Sequence, residues 1–453
     1  MNETGTARAN DFYAPVKARA AEIEGRYRAL TPRSQALFER AKTVFPGGYT
    51  RDSIVRAPHP TFMATGAGAI MTDADGREIV DFWFNASSLP LGHADPRVSE
   101  AVAARARAGS AFYAPTECEL TLAEMICERL ASADRIRFTN SGSEAVMMAV
   151  RLARARTGRD VVIKCEGSYH GSYDDAQWSV SPDPQSFGDA DAPTPVPDSG
   201  GLPSGKGRIK VVPYNDAGAL RRTVATDGSE IAAVLIEPMA NRIGLILPST
   251  EFLRAAREAC DACGAILIFD EVIAFRLGYN GAQGTVGVTP DATTLGKVIG
   301  GGFPVGAVAG RADVMATSDP GAKGRVTHAG TFNANPVTVA AGAATMEALS
   351  PEVFETINAE GMRIRARLSG ICEGLPLRIT GAGSVFKINA TGVDISDYRS
   401  AITVDNRWEE LVSLELFADG FMVTPHLHGC VSTVTTEEHV EGFLDAFARI
   451  VRA

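Results

Sequence analysis

Four short stretches of the chain are apolar almost throughout: Arg135–Thr139 (RIRFT), Val161–Cys165 (VVIKC), Ala233–Glu237 (AVLIE) and Ala265–Asp270 (AILIFD). A strand without a polar alternation has protein on both faces, so these runs predict a mostly parallel sheet with helices on each side. Between them lie amphipathic segments of helical period, Ser143–Thr157 and Glu251–Cys263. The first 60 residues or so read as helical and then irregular. Gly66–Phe82 reads as a hairpin turning at Asp75-Gly76. After about Leu349 a separate lobe of helices and strands runs to the end. The expected organisation is α/β: residues 1–85 contribute to a small lobe, residues 86–345 form a large domain, and residues 346–453 form a C-terminal small domain. One stretch breaks the alternation. Ser181–Gly207 is rich in Pro, Gly, Asp and Ser. It is too long for a simple connector, and its place between strands favours a mobile lid over a disordered insertion.

Composition narrows the class. The 453 residues are 45% hydrophobic and 22% charged, ordinary for a globular protein, and the formal net charge is -10. That balance argues against nucleic acid or an anionic membrane as the main partner. No apolar run approaches a membrane-spanning length, and the N-terminal segment lacks the basic start and apolar core of a signal peptide, so a cytoplasmic protein is expected. Seven scattered cysteines do not suggest a disulfide framework. Cys260 and Cys263 form a Cys-x-x-Cys, but on a helix ending at Gly264 with no second pair following. Structural thiols are the expectation there, and no metal is predicted.

Ligands of open parallel sheets sit beyond the carboxyl ends of the strands, so the residues after each run matter most. After Arg135–Thr139 comes Asn140-Ser141-Gly142-Ser143-Glu144-Ala145, opening a helix. Free N–H groups and small residues there suit a phosphate, and equally an ordinary N-cap. After Val161–Cys165 comes Glu166-Gly167-Ser168-Tyr169-His170-Gly171, an aromatic that can lie on a planar ring or simply pack. Asp270 ends a wholly apolar run, where a carboxylate needs a positive partner: a protonated pyridine nitrogen or a structural arginine. Lys297 stands alone within Thr293-Thr294-Leu295-Gly296-Lys297-Val298-Ile299-Gly300-Gly301-Gly302. Buried, it would have a lowered pKa and act as a Schiff-base nucleophile; the alternative is a surface lysine. Together these features answer the four needs of one cofactor, pyridoxal 5'-phosphate: phosphate, ring face, ring nitrogen and aldehyde.

The phosphate turn, Tyr169-His170-Gly171, Glu237-Pro238, Asp270-Glu271-Val272, the lysine segment and Gly330-Thr331-Phe332 resemble the class III aminotransferases, which have fold type I among pyridoxal-phosphate (PLP) enzymes. The resemblance runs from about Phe45 to the C-terminus. Phe45-Pro46-Gly47-Gly48, Leu91-Gly92-His93 and Ala114-Pro115-Thr116-Glu117 are similar to glutamate-1-semialdehyde 2,1-aminomutases and β-amino-acid aminotransferases. It implies a large domain on a mostly parallel, seven-stranded type of sheet plus a smaller α/β lobe. By residue, it implies that Ser141, Gly142 and Ser143 hold the phosphate. Tyr169 would stack on the ring with His170 behind it, and Val272 would pack on the other face. Asp270 would pair with the ring nitrogen, and Lys297 would carry the cofactor and move the proton. Glu237 and Asn241 would line the hydroxyl side. Thr331 would reach the phosphate of a second subunit, which implies a homodimer.

For the substrate, Tyr49-Thr50-Arg51-Asp52-Ser53-Ile54-Val55-Arg56 is longer than the aminomutase form, so Arg51 or Arg56 is the counterpart of its carboxylate-binding arginine, and Arg51 is preferred. Near the C-terminus some relatives use an arginine; Thr424-Pro425-His426-Leu427-His428-Gly429 carries histidines, and His426 is the expected contact. A neutral imidazole cannot clamp a carboxylate bidentately. Phe84-Asn85-Ala86-Ser87-Ser88 also departs from the aromatic-rich aminomutase form. The main expectation is therefore a ping-pong aminotransferase. It would move an amino group between an amino acid or amine, including β-amino acids, and a keto acid or aldehyde. An intramolecular aminomutase of the glutamate-1-semialdehyde type is the alternative, and a non-catalytic binding module is a third, less favoured reading.

Overall fold

The computed structural model describes residues 3–198 and 205–452. The chain forms two compact units.

The first unit, Pro96–Asn358 with Ile395–Ile402, is built on seven strands. They are β1 (Arg135–Thr139), β2 (Val161–Cys165), β3 (Ile209–Val212), β4 (Ile231–Ile236), β5 (Ile266–Asp270), β6 (Ala292–Gly296) and β7 (Gly306–Gly310). Their order is β1-β7-β6-β5-β4-β2-β3. Strand β7 is antiparallel to both of its neighbours, and every other pairing is parallel. Strands β2, β4, β5, β6 and β7 are buried at every position, which is why the runs at β2, β4 and β5 read as almost continuously apolar.

Successive side chains go to opposite faces. Ile163, Val234, Ile236, Leu267 and Phe269 join one core cluster; Val162, Ala233, Leu235, Ile266 and Ile268 join the other. Helix α1 (Gly142–Thr157) buries Val146, Val150 and Leu152 in the second cluster, and α2 (Thr250–Cys263) buries Phe252, Leu253 and Ala256 in the first. Each large side chain so buried is worth roughly 1.5–3 kcal/mol. Helix α2 starts where the Ser249 hydroxyl accepts the Phe252 N–H at 3.1 Å and ends at Gly264, whose φ of +74° is a left-handed cap. Cys260 is buried in that helix and Cys263 half-buried, both as free thiols.

In the Ser181–Gly207 stretch, residues 181–198 are folded, and residues 199–204 lie outside the described residues. Short strands Gly188–Asp189 and Ala192–Pro193 pair antiparallel. The Asp198 carboxylate accepts N–H groups from Val180 at 2.9 Å and Ser181 at 2.8 Å, closing the arm at its base.

The second unit joins Met1–Asp95, Ala359–Asp394 and Thr403–Ala453. Its first sheet runs Met63–Ala67, Ile70–Asp73, Glu78–Asp81, Phe421–Met422, the last pair parallel. The turn at Asp75-Gly76 has Gly76 at φ +84°, with Asp73 accepting the N–H of Asp75 and of Arg77. A second, antiparallel sheet joins Arg378–Thr380, Val385–Asn389 and His428–Cys430. Phe82, Phe386 and Phe443 pack edge-on and tilted against one another in the core of this unit. No helix among the described residues is long and apolar enough to cross a membrane.

Candidate active site

The carboxyl ends of β1, β2, β4, β5 and β6 carry most of the candidate residues of the sheet unit. At the end of β1, Ser141 is the N-cap of α1, its hydroxyl accepting the Glu144 N–H at 3.2 Å. The N–H groups of Gly142 and Ser143 then fall in the first helical turn, where helix geometry gives them no intrahelical partner. Glycine is required at two places around them. A Cβ on Gly142 would stand 2.9 Å from both methyl carbons of Val272. A Cβ on Gly171, at φ +100°, would stand 2.5 Å from the Ser143 hydroxyl and 2.7 Å from its Cα. The backbone turn after β2 thus lies directly against the start of α1, and the Ser143 hydroxyl accepts the Ser172 N–H at 3.1 Å.

Asp270 ends β5 and is buried. One carboxylate oxygen lies 2.8 Å from His170 Nδ1. The other accepts the Val272 N–H at 3.1 Å and the Thr294 hydroxyl at 3.3 Å. Burial pulls the His170 pKa below the ordinary imidazole value, with Asp270 opposing; since a carboxylate only accepts, His170 Nδ1 is the donor of this contact. Its Nε2 is buried without a hydrogen-bond partner. Thr294 had no role from sequence. Register supplies one, because it stands beside Asp270 on the neighbouring strand.

Lys297 follows β6 with φ +51°, a left-handed conformation that a non-glycine residue holds only where its surroundings impose it. Burial lowers its pKa, opposed by the negative groups Asp270 and Glu237. Glu237 is buried at the end of β4. Its carboxyl accepts N–H groups from Tyr169 at 3.1 Å and Asn241 at 3.3 Å, and burial, reinforced by Asp270, pushes its pKa up to about 8. The Tyr169 ring is half-buried, with the Arg242 guanidinium 5.1 Å from its centroid.

Glu271, which the sequence offers only as part of a motif, is a structural group. It is buried and accepts N–H groups from Ala282 at 2.6 Å and Gln283 at 3.1 Å. Thr331 is exposed, next to a polar link in which Asn140 donates to Asn333 at 2.8 Å. The substrate candidates belong to the second unit. Arg51 is exposed. Arg56 is buried, donates to the Val423 carbonyl at 3.0 Å and stacks on Phe417. His426 is half exposed, its Nδ1 3.8 Å from the buried Glu409 carboxyl, while His428 is buried beside Trp83.

These residues fit PLP. A glycine-lined helix start suits a phosphate, a buried carboxylate set by three donors suits a pyridinium, and a part-buried lysine with lowered pKa suits an aldehyde. The fold is that of the fold type I PLP enzymes. The class III aminotransferase family model matches residues 54–450, and the chain belongs to that family. A glutamate-1-semialdehyde 2,1-aminomutase of Methanothermobacter thermautotrophicus is 40% identical over 425 residues, 92% of this chain and 99% of the relative. An omega-transaminase from Sphaerobacter thermophilus is 44% identical, with a TM-score of 0.88 over 92% of this chain and 97% of that one. A transaminase solved with PLP bound is 36% identical, with a TM-score of 0.85 over 93% and 97%. The chain is thus similar to PLP-dependent enzymes over 92–93% of its length, and PLP is its cofactor.

Proposed function

We propose that this enzyme moves an amino group on a carboxylate-bearing substrate, with Lys297 and Asp270 as catalytic residues. The carrying observation is the gathering of Lys297, the Asp270–His170 pair and the Gly142–Ser143 helix start on the ends of one sheet. When bound, PLP would supply an electron sink for the negative charge that develops on the carbon bearing the amino group. Gly142 and Ser143, with Ser141 fixing the helix start, bind the phosphate. Asp270, held by His170, Val272 and Thr294, would keep the ring nitrogen protonated, and Tyr169 and Val272 would pack on the ring. Glu237 and Asn241 face its hydroxyl side. The Lys297 amine, its pKa lowered by burial, would hold the cofactor at its aldehyde carbon and would move a proton to and from the substrate carbon.

The intramolecular transfer of the aminomutase type is the first reading to be tested, because the curated relative of that name matches nearly end to end. A specific observation favours intermolecular transfer as the second: the omega-transaminase is 44% identical, and His426 and His428 stand where a carboxylate clamp would need a guanidinium. In both, Arg51 is the carboxylate anchor, since Arg56 is buried against Val423 and Phe417. The active unit is a homodimer, with Thr331 serving the partner's site.

The separating experiment supplies the holoenzyme with glutamate-1-semialdehyde alone, and separately with pairs of amino donors and keto acids. Formation of the amino-group isomer without any acceptor identifies the intramolecular enzyme. Conversion only when donor and acceptor are both present identifies the aminotransferase. Inactivity toward every carboxylate-bearing compound refutes the substrate class. Arg51→Ala should raise KM for carboxylate-bearing compounds by about 30-fold or more, given roughly 2–5 kcal/mol for one partner of a desolvated charge pair. KM for simple amines should change much less.

A further inference from the structure

We propose that Arg399 is a positioning residue that fastens the Ser181–Asp198 arm to the turn carrying Tyr169 and His170. The segment Ile395–Ile402 clusters with the sheet unit, although the chain on either side of it belongs to the other unit. It contains a one-turn helix, Tyr398–Ala401, whose start is fixed by Asp397: its carboxylate accepts the Ser400 N–H at 2.7 Å, and the Ser400 hydroxyl accepts the Asp397 N–H at 3.1 Å.

From this platform the Arg399 guanidinium makes two sets of contacts. Toward the turn it forks onto Glu166, Nε at 3.0 Å and Nη2 at 3.2 Å from the two carboxylate oxygens. Glu166 is buried and begins the turn Glu166–Gly171, so its carboxylate has its counter-charge from Arg399. Toward the arm it donates to the carbonyls of Phe187 at 3.2 Å, Gly188 at 3.0 Å and Asp189 at 2.9 Å, and lies 3.9 Å from the Phe187 ring centroid. Only a planar fork with five donors can serve a carboxylate, three carbonyls and an aromatic face together.

Tyr398 repeats the arrangement. Its ring lies on Gly167, where a Cβ would be 2.3 Å from the ring and where φ is +77°. Its hydroxyl donates to the Pro182 carbonyl at 3.0 Å. Two adjacent residues thus each touch both the turn and the arm. A long, polar, proline-rich stretch has little apolar burial to order it, and these contacts supply the order. The effect on Tyr169 and His170 rests on the proposed cofactor site; the fastening of the arm does not.

The test uses the holoenzyme and chymotrypsin, which cleaves after Phe187 when the arm opens. Arg399→Ala should raise the cleavage rate about tenfold or more, because an unpaired buried carboxylate and three freed carbonyls remain. It should also shift the visible band of the bound cofactor and speed PLP release. Arg399→Lys keeps a charge for Glu166 without the fork, so it should restore the band and PLP retention but not protection of Phe187. Tyr398→Phe, which removes one hydroxyl and should fold in any case, should increase cleavage alone. Wild-type cleavage in both Arg399→Ala and Tyr398→Phe overturns the proposal. Faster cleavage with an unchanged band is resolved by Tyr169→Ala. A shifted band there means Tyr169 meets the cofactor and the link from Arg399 to the turn is refuted. An unchanged band refutes the assignment of Tyr169 to the cofactor instead.

Discussion

Lys297 combines two unfavourable features, a left-handed backbone and a charge in a poorly solvated setting. Neither contributes to folding, which is the pattern of a residue kept for chemistry. Lys297→Ala should therefore retain the fold yet lose turnover by about 10³-fold or more, as expected when a proton-transferring group is removed; a steady-state assay beside a circular dichroism spectrum checks both halves. Asp270→Asn keeps the shape and the contact with His170 but not the charge. Turnover should fall by about 10²-fold, the scale of a lost preorganised electrostatic contact, and unaltered turnover with unaltered PLP affinity would refute the pairing with the ring nitrogen. Glu237 gives a pH signature. Between its unfolded value of 4.5 and its native value of about 8, the folded chain holds a proton that the unfolded chain has released. By linkage its contribution to stability declines as pH rises through that window. In the apoenzyme, Glu237→Gln should flatten the fall of Tm between pH 5 and pH 8; an identical slope in both proteins would exclude this. At this scale the sequence showed which residues come after each apolar run, because a strand end is marked by the first polar residue. It could not show Thr294 beside Asp270, which depends on register, or Arg399 on Glu166, separated by 233 residues.

At the scale of elements, the four apolar runs correspond to β1, β2, β4 and β5, with bounds shifted by two residues or fewer at most ends. The other three strands were not legible, and composition explains why. Strand β6 reads ATTLG and β7 reads GAVAG, built of small residues because neighbouring backbone lies close. A Cβ on Gly306 of β7 would be 2.0 Å from the Ser141 carbonyl. Strand β3, IKVV, has only four residues, and its lysine leaves no longer apolar run to read. The antiparallel sense of β7 leaves no mark on periodicity at all. The same close approach makes the turn after β2 testable. Gly171→Ala puts a methyl group against the Ser143 backbone at a φ of +100°. Left-handed strain alone costs on the order of 1–3 kcal/mol, before the contact is counted. Relief requires Ser143 to move, and with it the proposed phosphate site. Tm should fall by several degrees, and PLP should dissociate faster than from wild type; a loss of Tm without faster release would detach this turn from the cofactor.

At the scale of the whole molecule, the sheet unit leaves several large apolar side chains in solvent on two neighbouring segments. Phe112 is 47% exposed, Tyr113 fully exposed and Phe332 59% exposed. The segments are joined where Asn335 donates to the Ser110 carbonyl at 2.9 Å. Burying aromatic side chains of this size is favourable enough that isolated chains seldom leave several together, and such patches mark protein interfaces. Thr331, the residue proposed to serve a second active site, is exposed and directly precedes Phe332. A second copy of the chain would account for both facts, since a two-fold interface would cover each patch with its own symmetry mate. Sedimentation of the holoenzyme should give twice the mass of the chain. Replacing Tyr113 and Phe332 together by aspartate places four charges at such an interface, one pair from each copy, and should yield monomers. Those monomers should remain folded, because neither side chain belongs to the core, but should lose PLP readily and turn over poorly. A monomeric variant that retains PLP and full activity would show that each chain completes its own site and that Thr331 serves no partner.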